Sequence, residues 1–144
     1  IPLFITALME GRRPTIYGDG TQTRDFTYVA NNVQANILAA TTTNNVAGKI
    51  INIACGKSYS VLDLLKAIND AINSSKPPTL ESSNPSVVIE PIFAPARKGD
   101  IKHSLADITL ARELLNYKVE VDFTEGIKRI AEWYLNNQSS KNKI

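Results

Sequence analysis

Apolar residues recur at helical spacing in five stretches of this chain. Residues 3–10 read as a short helix, with Pro2 at a first-turn position and Gly11 ending it. Asn31 is a candidate cap for a helix over about 32–42 that places Val33, Ile37 and Ala40 on one face. Ser60-Val61-Leu62-Asp63 has the form of a capping box, and the helix it opens carries Val61, Leu64, Leu65, Ile68 and Ile72 at helical spacing. Asp107 can cap a helix holding Ile108, Ala111 and Leu115. Asp122 or Thr124 can cap a last one, with Ile127, Ile130, Ala131 and Tyr134 facing inward and Trp133 expected in the core.

Between these stretches lie short runs that read as strands: Pro14–Tyr17, Arg24–Val29, Lys49–Ala54 and Val87–Ile92. Gly18-Asp19-Gly20 after the first run is suited to positive φ and so to a turn. Thr41–Ala47 is a polar connection and Gly56–Tyr59 a loop. Ser74–Pro85, rich in Ser and Pro, is expected as a surface loop. The pattern predicts an α/β chain of few short strands and about five helices, without repeats. Helix and strand alternate too sparsely for a full doubly wound sheet. Residues 1–138 are expected as one domain, and 139–144 as a polar, frayed tail.

Composition changes this picture little. Hydrophobic residues at 43% and charged ones at 21% fit a folded globular domain of 144 residues. A formal charge of +2 is too small to argue for nucleic acid. One cysteine, Cys55, excludes an internal disulfide, and a single histidine argues against a structural metal site. No apolar run reaches the ~20 residues that span a bilayer. No basic residue precedes the apolar N-terminal stretch as in a signal peptide, so a cytoplasmic location is expected. The chain opens at Ile1, inside an apolar segment, and is expected to be cut or processed from something longer.

Two polar motifs carry the candidate chemistry. One is Gly18-Asp19-Gly20-Thr21-Gln22-Thr23-Arg24-Asp25-Phe26. The other is Arg97-Lys98-Gly99-Asp100, followed by His103-Ser104-Leu105-Ala106-Asp107. Arginine presents a planar fork of donors that matches phosphate oxygens, and a carboxylate accepts from vicinal sugar hydroxyls. Arg24 and Arg97 can therefore clamp a diphosphate, or serve as solvated surface charges. Asp100 can accept from a ribose or simply form a turn after Gly99. Tyr17 and Phe26 can flank a base or belong to the core. His103 can act as an acid–base group or as a hydrogen-bonded structural histidine. Cys55 reads as a small buried residue, and Lys57 as a weak candidate anion contact. No glycine-rich dinucleotide fingerprint, P-loop or Tyr-x-x-x-Lys pair is present.

Taken together, Ile16-Tyr17-Gly18-Asp19-Gly20, Arg24-Asp25-Phe26-Thr27-Tyr28-Val29, Asn52-Ile53 with Gly56 and Ser60-Val61 resemble the C-terminal part of extended short-chain dehydrogenase/reductase proteins, the NAD-dependent nucleotide-sugar epimerases and dehydratases. Asn31, Val33-Gln34-Ala35-Asn36 and the long motif Arg97-x-Gly99-Asp100-Ile101-x-His103-Ser104-Leu105-Ala106-Asp107-Ile108 are most similar to the UDP-N-acetylglucosamine 4-epimerase branch. The resemblance runs from Ile1 to about Tyr134. It implies a substrate-binding subdomain lacking the Rossmann core. It also implies that Thr15 and Tyr17 line a uracil pocket, that Arg24 and Arg97 bind a UDP diphosphate, that Phe26 sits beside the nucleotide and that Asp100 holds the ribose. Lys57 falls in a loop near the nucleotide. Three positions depart from the family pattern: Ala30 stands for an acidic residue, Ala54-Cys55 for a glycine-bearing pair and Asn116 for glycine.

The resemblance further implies that NAD serves the full-length enzyme while this chain holds neither NAD nor the catalytic Tyr/Lys pair. The expected partners are a UDP-sugar and the missing N-terminal domain, with no nucleic acid or membrane. Two alternatives stand beside the epimerase reading. Within the family they are dehydratase and decarboxylase activity. Outside it, the alternative is a non-catalytic interaction module that self-associates through an exposed apolar face or binds a nucleotide-sugar.

Overall fold

The computed structural model describes residues 1–75 and 88–141, the last four of these by backbone alone. Among them are five helices and four short strands: α1 (Pro2–Met9), β1 (Thr15–Tyr17), β2 (Thr23–Arg24), α2 (Val29–Thr41), β3 (Tyr59–Ser60), α3 (Val61–Ser74), β4 (Ile92–Ala94), α4 (Thr109–Leu115) and α5 (Phe123–Lys141). The chain divides into two compact units, one made of residues 1–22, 60–100 and 127–144, the other of 23–59 and 101–126.

The first unit is organised by a parallel pair. β1 lies against β4 with Thr15 opposite Ile92, Ile16 opposite Phe93 and Tyr17 opposite Ala94. The ladder continues past both ends, Ile92 N–H donating to Pro14 O (2.8 Å) and Gly18 N–H to Ala94 O (2.9 Å). Arg13 reaches across to donate to Glu90 O (3.1 Å) and Pro91 O (2.7 Å), satisfying carbonyls just before β4. Ile16 points inward and is buried, and α1 packs on α3 through Ile5, Ala7 and Leu8 against Leu64, Leu65, Ile68 and Ile72.

Local chemistry makes α3 start where it does. Ser60 Oγ accepts from Asp63 N–H (3.0 Å) while the Asp63 carboxylate accepts from the Ser60 N–H (2.9 Å) and hydroxyl (2.7 Å). The turn before β2 is tied to this helix start, Leu62 N–H donating to Gly20 O and Val61 N–H to Gln22 O. Gly20, at φ +77°, sits so close to Leu62 that a Cβ would meet its Cγ at 2.8 Å.

The second unit is built around polar anchors. Asn31 is fully buried. Its Oδ1 accepts from Glu120 N–H (3.1 Å) and Val121 N–H (3.0 Å), and its Nδ2 donates to Val121 O (2.7 Å). Asp25 accepts from Cys55 N–H (2.9 Å) and Gly56 N–H (2.8 Å). Tyr117, 1% exposed, donates from its hydroxyl to Ala54 O (3.0 Å) inside a cluster of Ala35, Ile108, Ala111 and Leu115. Asn116, where the family pattern has glycine, ends α4 in the left-handed conformation, φ +53°. β2 pairs with β3.

Several sequence expectations shift. Asn31 does not cap α2, which starts three residues earlier than expected behind Tyr28, because its amide is spent on the 120–121 backbone. That anchor turns the helix so that Asn31, Ala35 and Leu38 face inward. Val33 and Ile37 stay 53% and 59% exposed, on an uncharged helix surface with Val29. Arg24–Val29 shortens to a two-residue strand since α2 begins at Val29. Lys49–Ala54 finds no ladder partner among the described residues. Ile51 and Ile53 pack against the Tyr117 cluster instead.

The fourth strand falls at Ile92–Ala94, in register with β1. Val87 lies outside the described residues, as does 76–85 of the expected loop. Trp133 is 59% exposed rather than in the core, edge-on to Tyr134. α5 is helical to Lys141, into the stretch expected as tail, and 142–144 lie outside the described residues. Asp122, of the two candidates, caps it by accepting from Glu125 N–H (2.9 Å). Asp107 accepts from Thr109 N–H (2.9 Å) from one residue before the N-cap of α4, Ile108, so it forms a turn into the helix rather than its cap.

Asn31→Ala orphans buried backbone groups and should cost about 3 kcal/mol in urea unfolding, whereas Val33→Ala on the exposed face should stay within about 0.5 kcal/mol. The two Ser60 hydrogen bonds hold the Asp63 carboxyl below its ordinary pKa. A depressed folded pKa adds stability that is present at neutral pH and lost as pH falls through that folded value. The stability gap between wild type and Asp63→Asn should therefore narrow as pH drops below about 4, measured by urea unfolding across pH.

Candidate functional site

The alternation of β1 decides what the first unit presents. Ile16 turns into the core, so Thr15 and Tyr17 share the opposite, exposed face. β4 and the residues after it then carry Arg97 over that face. Its guanidinium carbon lies 3.9 Å from the Tyr17 ring centroid, a cation–π contact. Asp100 follows in the turn closed by its N–H on Arg97 O (3.2 Å), with Gly99 at φ +82°. Gln22 braces β1 by donating to Tyr17 O (2.8 Å).

Thr15, Tyr17, Gln22, Arg97 and Asp100 line one cavity of about 500 Å³ in this unit, closed on its other side by residues of α1. That volume suits a small-molecule ligand. Its polar edge combines an arginine placed over an aromatic ring, a threonine hydroxyl and a carboxylate. This set can bind a phosphate group and a polyol together. Arg12 also lines the cavity and is ion-paired to Glu10.

Three predicted site residues belong to the second unit. Arg24 donates from Nη1 to Thr23 O (2.8 Å). Thr23 itself is held by the second motif: its N–H donates to Lys102 O (2.8 Å), its carbonyl accepts from Ser104 N–H (3.1 Å), and its hydroxyl meets His103 Nδ1 at 3.0 Å. Of the two readings of His103, the geometry supports the hydrogen-bonded structural one. Phe26 is half-buried and packs on Phe123 (centroids 5.6 Å apart), which supports its packing role. Lys57 lines a different cavity, within this second unit. Cys55 is buried, and burial together with the Asp25 charge pushes its thiol pKa up, away from nucleophilic use.

Arg13 and Gln22 escaped the sequence reading, because backbone bracing leaves no motif. The one available signal was the Arg12-Arg13 doublet ahead of Pro14. Asp25 was also missed, though it adjoins Arg24. Among the described residues no three His, Cys, Asp or Glu side chains gather as a metal site, and no helix is long and apolar enough to cross a membrane.

Comparison with known proteins places this arrangement. The profile of the GDP-mannose 4,6-dehydratase family matches residues 1–130. A putative UDP-glucose 4-epimerase from Methanocaldococcus jannaschii is 36% identical over 95% of the chain, which spans 39% of that relative. A UDP-N-acetylglucosamine 4-epimerase from Methanobrevibacter ruminantium, solved with UDP-N-acetylmuramic acid, is 38% identical with a TM-score of 0.75. Here 94% of the chain is covered and 39% of that structure. A UDP-glucuronic acid 4-epimerase from Bacillus cereus, solved with UDP-glucuronic acid and NAD, is 29% identical with a TM-score of 0.77, over 93% of the chain and 38% of that structure. The chain belongs to the GDP-mannose 4,6-dehydratase family of nucleotide-sugar epimerases and dehydratases, and it spans about two fifths of the length of these relatives.

Arg13→Ala should loosen β4 beneath the site. Amide hydrogen exchange should show faster exchange at Ile92 and Gly18, the two ladder-end donors, with the Leu65 and Ile68 amides of α3 unchanged.

Proposed function

We propose that this chain is the UDP-sugar-binding part of an NAD-dependent nucleotide-sugar 4-epimerase. The observation that carries the reading is Arg97 seated on Tyr17, with Thr15 and Asp100 at the same cavity. A nucleoside diphosphate needs a planar surface for its base, a cation for its diphosphate and, between the two, a hydroxyl acceptor for its ribose. Thr15 and Tyr17 supply the first for the uracil, Arg97 the second for the diphosphate, and Asp100 the third for the ribose. The relatives solved with UDP-sugars support this choice of ligand class. Arg24 and Phe26 enter the proposal through the family resemblance alone, and Lys57, which lines the other cavity, is left out of it.

The residues present do not fit an NAD site. Gly18 and Gly20 lead into the strand β2 rather than a helix, and the sheets among the described residues have two strands each. In a complete 4-epimerase NAD would take and return a hydride at the sugar. What this chain's residues contribute is binding and orientation: the diphosphate is fixed by charge and the ribose by hydrogen bonds, so that the sugar ring is presented in one place.

Calorimetric titration of the chain with UDP-N-acetylglucosamine should give saturable binding. Arg97→Ala should weaken it at least about tenfold, the loss of one charge-assisted phosphate contact. No heat up to millimolar ligand, or an unchanged affinity in Arg97→Ala, would sink the proposal.

A further inference from the structure

Beyond the UDP-sugar reading, we infer that the second unit holds a site of its own for a small phosphate-class anion, in the cavity lined by Lys57, Arg112 and Lys118. The cavity measures about 520 Å³, again a small-molecule size. Three cations face it against one carboxylate, Asp122, and one oxygen of that carboxylate already accepts from Glu125 N–H at the start of α5. None of the three cations forms an ion pair among the described residues. Arg112 is felt by Asp107, whose carboxyl is lowered first by its Thr109 hydrogen bonds and only last by that charge.

The walls that carry these cations are braced. Asp25 holds the N–H groups of Cys55 and Gly56 directly before Lys57. Gly56 turns at φ +69°, where a Cβ would crowd Ile108 at 3.1 Å and stand 3.7 Å from Arg112. Tyr59, two residues after Lys57, stacks on Phe123 with centroids 4.0 Å apart. Tyr117, one residue before Lys118, is buried with its hydroxyl on Ala54 O. The three charged side chains are exposed, and what the frame fixes is the backbone from which they reach the cavity. Three positive charges favour an anion of at least two charges, and the arginine fork favours phosphoryl oxygens. The site gives Lys57 neighbours that the sequence motifs never linked to it.

Inorganic pyrophosphate is the probe. Titrated into the isotope-labelled 144-residue chain, it should shift the backbone amides of Lys57, Arg112 and Lys118 saturably, beyond a sodium chloride control of equal ionic strength. Lys57→Gln combined with Lys118→Gln should weaken that binding at least about tenfold with an unchanged melting temperature. Arg112→Gln gives an independent second variant. Shifts at residues 15–17 and 97–100 report the first unit's cavity separately, so failure of either site is read on its own. Linear, salt-like shifts at the three cations, or shifts that survive in both variants, would overturn the inference.

Discussion

The parallel pairing of β1 with β4 is the constraint on which the candidate site depends. A parallel pair cannot be closed by a tight turn, and here the chain runs through α3 before returning. Register then does chemical work. With Ile16 committed to the core, Thr15 and Tyr17 must face outward, and Tyr17 opposite Ala94 puts Arg97 within reach of its ring. A slip of one residue would turn Ile16 out and Tyr17 in, and the arginine would lose its seat. The bonds beyond the ladder, from Gly18, Ile92 and Arg13, make that slip costly.

In the second unit polar side chains play the role that register plays in the first. Asn31 ties α2 to the 120–121 segment, and Asp25 ties the chain after β2 to the Cys55–Gly56 turn. Both are short side chains saturating backbone groups, an arrangement that is expensive to break and specifies one geometry. The same device serves the second motif, where residues 102–104 grip Thr23 from three sides and thereby position the backbone next to Arg24.

What could be read from the residues was mostly local. The capping box at Ser60, the cap at Asp122 and the glycine turn after β1 are short-range chemistry, and all are found in the structure. The face of α2 was misread because an apolar pattern gives no sign that a buried asparagine is the pivot. Lys49–Ala54 was read as a strand because its composition suits one, but a strand exists only with a ladder partner, which no local pattern supplies. Trp133 followed the rule that large aromatics are buried, and stands exposed. Arg97, Asp100 and Tyr17 were candidates from their side-chain chemistry, while Thr15 joined them only through the family resemblance. Their meeting is long-range, and Arg13, which braces it, was invisible.

The central claim is that β1 and the Arg97–Asp100 turn form one nucleotide-binding surface. Backbone amide NMR of the isotope-labelled chain titrated with UDP tests it most directly. The account predicts saturable shifts that share one binding curve at Thr15, Tyr17, Arg97 and Asp100. Shifts at Arg97 without any at Thr15 and Tyr17, or different curves for the two segments, would contradict it.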